Sequence, residues 1–251
     1  RLPDRLGGLV RAVQGCHDAA LAYGTPFISG KDSLNNEYVD LQGAKRAIPP
    51  TLLISSLGLV PNVRQAVTMD LKEAGDLLYI VGETRAELGG SLYHRLHGAL
   101  GSYVPAPVPD AIETMRALHR ALAAGLVRAC HDCSEGGLAV AAAEMALAGR
   151  MGLDLGLADL PRTPGVDRED LALFAESSGR FLVEIRPEDS TTFEAMMAGR
   201  PLACLGSVAG APPGEEQGTP IVRITGLAGQ PAIDGAVSDL LRTWQSAEVF
   251  Q

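Results

Sequence analysis

The sequence predicts a mixed α/β (α+β) protein of two domains. Strand-like and helix-like segments fall into two blocks, and the pattern changes near Lys72 from strand-rich to alternating helix and strand. Residues 1–71 are therefore expected to form one domain and residues 72–251 the other. A chain of 251 residues, 46% hydrophobic and 20% charged, has enough apolar material for one large or two small cores.

In the first block, Leu9, Val10, Val13, Ala19, Ala20 and Leu21 suit a helix from Leu9 to Tyr23, with Gly24 as its stop. Pro26, Phe27 and Ile28 form a short apolar strand, and strand, loop and strand follow. Thr51 to Val60 (TLLISSLGLV) reads as a mostly buried strand ended by Pro61. Val63 to Met69 reads as a short connection and strand.

In the second block Leu77 to Val81 is a strand, and Pro109 to Ala124 is a helix set between Pro109-Asp110 and Gly125. Val127 to His131 is a strand, after which Ser134 caps a helix running through Ala148. Phe181 to Ile185 is a strand and Pro187 to Ala198 a helix. Cys204 to Val208 and Ile221 to Thr225 are strands, and Asp239 to Trp244 is a closing amphipathic turn or helix. The acidic, Pro/Gly-rich Gly210 to Thr219 segment is expected to be a mobile hairpin loop.

A formal charge of −9 and a pI near 5.0 argue against general nucleic-acid or anionic-membrane binding, because most of the surface would repel a polyanion. There is no uncharged apolar run of about 18 residues, and charged Arg1 to Arg5 lead into no signal-peptide core. A cytoplasmic location is expected. The four cysteines are too few and scattered for a disulfide framework. Cys130 and Cys133 form a CxxC, but no second CxxC or paired histidines complete a zinc site, so Cys130 reads as a small buried residue at a strand end.

The most informative run is GTPFISGKDSLNNEY, Gly24 to Tyr38, where the short strand empties into Ser29, Gly30, Lys31, Asp32 and Ser33. Gly30 lets a backbone approach a bulky anion, Lys31 offers a cation, Asp32 a hard oxygen ligand, and Ser33 a hydroxyl and an N–H. Polyphosphate with a divalent ion suits that set. The same residue types also fill polar turns for conformational reasons.

With HDCSEGGLAVAAAEMALAG (His131 to Gly149) and LFAESSGRFLVEI (Leu173 to Ile185), this run resembles the second half of the phosphoribosylformylglycinamidine synthase family, from about Leu9 to about Trp244. The first motif mixes the family's Gly-Asn-Val-Ser and Gly-Lys-Asp-Ser patterns. The resemblance implies the aminoimidazole ribonucleotide synthetase-like pairing: a barrel-forming first domain, truncated here, and an α/β-sandwich second domain. It also implies a preceding first repeat of the same enzyme, in keeping with a chain that begins at Arg1. Truncated sheets expose pairing edges, so a homodimer or strand swap is a possible outcome.

By resemblance Gly30 contacts nucleotide, Lys31 or Asp32 stands at the magnesium position, and Ser33 lies at a substrate or nucleotide phosphate. Asp32 is the better metal ligand, since protonated lysine cannot coordinate magnesium, and Lys31 instead neutralises phosphate as a point cation. Glu37 is a secondary metal candidate or simply an exposed acid after a turn. Asp132, Ser134, Gly136 and Gly137 form a candidate anion cradle at a helix start, with ordinary helix capping as the alternative. Glu176, Ser177 and Arg180 stand where the family's first repeat has a phosphate loop; alternatively, Arg180 pairs with Glu176. Gly89, Gly90 and Ser91 resemble a segment that opens a helix, while His94 and His97 on that helix lack a third metal ligand nearby.

The implied activity is ATP- and Mg2+-dependent conversion of formylglycinamide ribonucleotide to formylglycinamidine ribonucleotide, a ligase reaction of purine biosynthesis. Ammonia would come from a glutaminase subunit or domain. The family's catalytic histidines belong to the first repeat, so the chain alone is expected to be inactive. The alternatives are a non-catalytic nucleotide-binding and pseudo-dimerisation module, or another ATP-dependent enzyme of the superfamily. The SGKDSLNNE run argues against the latter.

Overall fold

The computed structural model describes residues 3–33, 36–101, 103–210 and 218–246. Most of the expected Gly210 to Thr219 loop, residues 211–217, lies outside them. The chain divides into two compact units, residues 1–59 and 60–251.

The first unit opens with helix α1 (Pro3–Tyr23), which begins ahead of the expected Leu9 because neither Gly7 nor Gly8 interrupts it. Strands β1 (Glu37–Val39) and β2 (Lys45–Ala47) form an antiparallel hairpin with Tyr38 opposite Arg46. Asp40 organises its turn: Oδ1 accepts the N–H groups of Gln42 and Ala44 at 3.0 and 2.8 Å, and Oδ2 accepts Arg46 Nε at 2.8 Å. The Arg46 guanidinium and these amides hold its carboxyl below the usual range.

The buried strand expected at Thr51 to Val60 does not form. The segment has no regular structure, and Leu53, Leu57 and Leu59 are 89%, 88% and 93% exposed. Its composition favours a strand, but a strand also needs a neighbour for its N–H and C=O groups. Among the described residues, none pairs with it.

The second unit is a seven-stranded sheet with helices on both faces. Its strands are β3 (Leu77–Val81), β4 (Val127–Asp132), β5 (Gly152–Gly156), β6 (Phe181–Ile185), β7 (Leu202–Ala209), β8 (Ile221–Thr225) and β9 (Pro231–Ala236). They lie in the order β4-β6-β3-β7-β5-β8-β9. All neighbours are antiparallel except β5 and β8. The strand expected within Val63 to Met69 is instead a 3-10 turn, Val63–Gln65, capped by Asn62 Oδ1 on Arg64 N–H at 3.1 Å.

Side-chain alternation along β3 separates the two cores, as a period-two strand requires. Leu78 and Ile80 join Leu138, Ala142 and Met145 of α4 (Gly137–Gly149), with α5 (Glu169–Phe174) and α7 (Val237–Gln245) on the same side. Tyr79 and Val81 join Leu118 and Ala121 of α3 (Ala111–Ala123) and Phe193 of α6 (Ser190–Met196) on the other. Phe193 is fully buried, edge-on to Tyr79 at 5.3 Å, so Phe193→Ala should cost about 3–5 kcal/mol in chemical denaturation.

Arg150 follows α4 in the left-handed region, φ 54°, where a glycine carries no Cβ penalty. Arg150→Gly should therefore stabilise the unit by about 0.5–1 kcal/mol, read as a raised denaturation midpoint.

Candidate functional site

Two places hold the expected site residues, one in each unit. In the first, Gly30, Lys31, Asp32 and Ser33 are all exposed in an irregular segment. Lys31 folds back on its own chain, its Nζ donating to Ser33 Oγ at 2.8 Å and Asp32 O at 2.5 Å. Lys31 and Ser33 thus already meet as a cation beside a hydroxyl. Glu37 Oε1 accepts Lys45 Nζ at 2.8 Å across the hairpin. Among the described residues no group of three or more His, Cys, Asp or Glu side chains is arranged to hold a metal ion.

In the second unit, register places the ends of β3 and β4 beside the start of β6, because Val81 and Asp132 both face Phe181. The β3–α2, β4–α4 and α5–β6 connections therefore meet at one end of the sheet, where α2 is the short helix Leu92–Leu96, capped by Ser91 Oγ on His94 N–H. This brings together Asp132, Ser134, Gly136, Gly137, Glu176, Ser177 and Arg180.

The cap of α4 is Gly136, not Ser134, whose side chain makes no capping bond. Gly136 and Gly137 have φ of 78° and 66°, so the chain enters the helix through a left-handed turn. A Cβ on Gly137 would lie 2.5 Å from Ala175 O and 2.8 Å from Leu173 O, which excludes any other residue without backbone movement. Asp132, Ser134 and Glu135 are exposed on the rim of this turn.

The Glu176-Ser177-Ser178-Gly179-Arg180 segment points mainly inward. Arg180 is 1% exposed; its Nη1 donates to Thr84 Oγ1 at 2.9 Å, its Nε to Ser177 O at 3.2 Å, and its Nη2 to Ala175 O. Burial pulls its pKa down, yet the guanidinium remains charged. Arg180 and Glu176 do not pair: Glu176 Oε1 instead accepts Gly136 N–H at 2.8 Å and Leu92 N–H at 2.9 Å. Ser177 Oγ accepts Arg85 N–H at 3.0 Å and is itself buried. Thr84, Arg85, Glu87 and Leu92, which complete this network, carry no sequence signal for the role. Neither does Glu144, whose Oε2 lies 2.8 Å from His131 Nε2.

The CxxC cysteines are free thiols. Burial pushes Cys130 up to about 12 and Cys133 up to about 11, so neither offers a reactive thiolate near neutral pH.

A family model described as "AIR synthase related protein, C-terminal domain" matches residues 73–215. The chain belongs to this family. Among curated proteins it is 40% identical over 192 residues to the "Phosphoribosylformylglycinamidine synthase subunit PurL" of Synechococcus sp. (strain JA-2-3B'a(2-13)), covering 75% of this chain and 24% of that protein. It is 32% identical over 256 residues to the protein of the same name from Anaeromyxobacter sp. (strain Fw109-5), covering 97% and 30%. The chain thus spans about a quarter of the length of the curated relatives it matches.

Among solved structures, "T. maritima PurL complexed with FGAR" superposes with a TM-score of 0.59 at 19% identity, over 71% of this chain and 30% of that one. "T. maritima PurL complexed with ATP" gives 0.55 at 18%, over 71% and 27%. These likenesses establish the α/β architecture of the AIR synthase-related fold. Among the described residues, no helix is long and apolar enough to cross a membrane.

Proposed function

We propose that this chain is a section of an ATP-dependent phosphoribosylformylglycinamidine synthase, acting in the cytoplasm in purine biosynthesis. Residues 1–71 belong to its N-terminal-type domain and residues 72–251 to its C-terminal-type domain. The observation that carries this reading is sustained similarity to PurL subunits across a stretch that includes an exposed Gly30-Lys31-Asp32-Ser33 segment. The substrates are formylglycinamide ribonucleotide, ATP and ammonia, the last supplied by a glutaminase subunit or domain.

In the proposed reaction the formyl amide oxygen attacks the γ-phosphorus of ATP and ADP leaves. Ammonia adds to the activated carbon, and the C–O bond breaks to release phosphate and form the amidine. Such transfer depends on alignment and charge neutralisation more than on covalent help from the protein. Lys31 and Ser33, already 2.8 Å apart, present a cation and a hydroxyl suited to a phosphate oxygen.

Magnesium is commonly held by one or two carboxylates together with substrate phosphates, and Asp32 fits as such a carboxylate because it is exposed and Lys31 bonds its backbone carbonyl, not its side chain. Bound there, the ion would neutralise phosphate charge. Glu37 is the weaker candidate while Lys45 holds it. Asp132 and Ser134 on the rim are the second unit's candidate contacts. Gly136, Gly137, Glu176, Ser177 and Arg180 shape the loop beneath them.

The exposed Leu53, Leu57 and Leu59 favour completion of the first unit by strands from the preceding part of the synthase. The isolated chain is accordingly inactive. Of the second reading, a non-catalytic structural nucleotide-binding and pseudo-dimerisation module, the inward bonding of Glu176, Ser177 and Arg180 favours the structural, non-catalytic part.

Asp32→Asn in a PurL enzyme carrying this chain in place of its corresponding section separates the readings. The catalytic reading expects kcat to fall on the order of 100-fold with unchanged melting temperature. Unchanged turnover would refute that role, and loss of both turnover and stability would favour the structural module.

A further inference from the structure

Glu176 lies where two helix entries converge. A single carboxylate oxygen, Oε1, accepts Gly136 N–H at 2.8 Å and Leu92 N–H at 2.9 Å, which are the cap of α4 and the first residue of α2. The Glu176 N–H donates to Glu87 O at 3.4 Å, tying the same residue to the β3–α2 connection by its backbone. Gly137 N–H is also engaged, by Ser134 O at 3.1 Å. The glycine turn thus has the form of a phosphate cradle, with both of its glycine N–H groups already occupied from within the protein.

We infer that Glu176 is a built-in anion for the α4 entry: a positioning residue that fixes the Gly136–Gly137 turn, sets Asp132 and Ser134 on its rim, and keeps phosphate out of the turn itself. A negative group at a helix start is favoured by the helix dipole, and charge-assisted bonds to backbone N–H groups are among the stronger hydrogen bonds. An incoming phosphate would have to displace Glu176 and repel its charge. This assignment rests on the loop's own bonding and stands whether or not the proposed reaction is correct.

The test uses the 251-residue chain and two variants, Glu176→Ala and Glu176→Gln. Amide hydrogen exchange at Gly136 and Leu92 is expected to quicken on the order of tenfold or more in the alanine variant. The glutamine variant keeps an acceptor oxygen and should fall between the two. Acetate should slow exchange and raise the melting temperature of Glu176→Ala beyond the effect of chloride at equal ionic strength, while leaving the wild type unchanged. Equal exchange in all three proteins, or no advantage of acetate over chloride, would overturn the assignment.

Should Glu176→Ala fail to fold, the wild type and Glu176→Gln decide by titration with inorganic phosphate. A Gly136 amide resonance that millimolar phosphate leaves unmoved in the wild type, with quicker exchange at Gly136 in Glu176→Gln, supports the built-in anion. A saturable shift of that resonance in the wild type, or unchanged exchange in Glu176→Gln, overturns it.

Discussion

Arg180→Ala is expected to lower the unfolding free energy by about 3–5 kcal/mol, one of the largest single-residue effects in the second unit. The guanidinium is enclosed and donates to Thr84 Oγ1, Ser177 O and Ala175 O, while the Arg180 backbone carbonyl, which the alanine variant keeps, accepts Cys133 N–H at 3.0 Å. Removing the side chain strands three buried acceptors and opens a void among three connections. Arg180→Lys keeps the charge but cannot reproduce the fork, so it should recover less than half of the loss. Urea denaturation of the three proteins measures this, and a loss below about 1 kcal/mol for the alanine variant would show that Arg180 does not hold the loops together.

Glu184→Gln is expected to stabilise the chain at pH 8 and to leave it nearly unchanged near pH 4.5. Glu184 is fully buried on β6, where its oxygens accept Lys72 N–H at 3.1 and 2.9 Å and Glu73 N–H at 3.0 Å. Burial raises its pKa from 4.5 to about 7, helped by the neighbouring Asp76 carboxyl and opposed by the two N–H groups. Arg128 Nε lies 3.1 Å from Asp76 Oδ2, on the other carboxyl of this pair.

The folded-state pKa therefore lies above the unfolded value, so the folded chain binds the proton more tightly. Stability from this site is full below about pH 4.5 and is lost as pH rises to about 7. Glutamine keeps Oε1 as acceptor for the Lys72 and Glu73 N–H groups, and its uncharged NH2 group takes the place of Oε2 at the loss of the 2.9 Å bond from Lys72 N–H. The expected gain at pH 8 is about 1–3 kcal/mol, with a flatter stability profile between pH 5 and 7. Parallel profiles for wild type and variant would show that Glu184 is not the titrating group.

What the sequence made legible follows from how local each signal is. Phe181–Ile185 and Ile221–Thr225 form strands with the expected bounds because these apolar, β-branched runs are buried between neighbours. β9 is a sheet-edge strand carrying Pro231, Asp234 and Gly235, residue types that read as turn. Gly152 and Gly156 bracket β5 and disguise it in the same way. Thr51 to Val60 has strand composition, but pairing partners are not a property of one segment.

The candidate site divides along the same line. Asp132, Ser134, Gly136 and Gly137 are recognisable as a helix-entry loop because they lie together in sequence. Ser134 reads as the cap only because the left-handed turn at Gly136 and Gly137 is not visible in composition. Glu176 and Arg180 stand out as charged residues, but the directions they face depend on Leu92 and Thr84, more than eighty residues away in sequence.

If this chain forms part of an amidine-forming synthase that phosphorylates an amide oxygen, that oxygen must leave with the phosphate, and an isotope label can follow it from substrate to product. Formylglycinamide ribonucleotide labelled with 18O at the formyl amide oxygen would be turned over with ATP and ammonia by a PurL enzyme carrying this chain as its corresponding section. The expected products are formylglycinamidine ribonucleotide and inorganic phosphate bearing the label, one labelled phosphate per amidine. Phosphate released without label, or ATP consumed with no amidine formed, would refute phosphorylation of the amide oxygen.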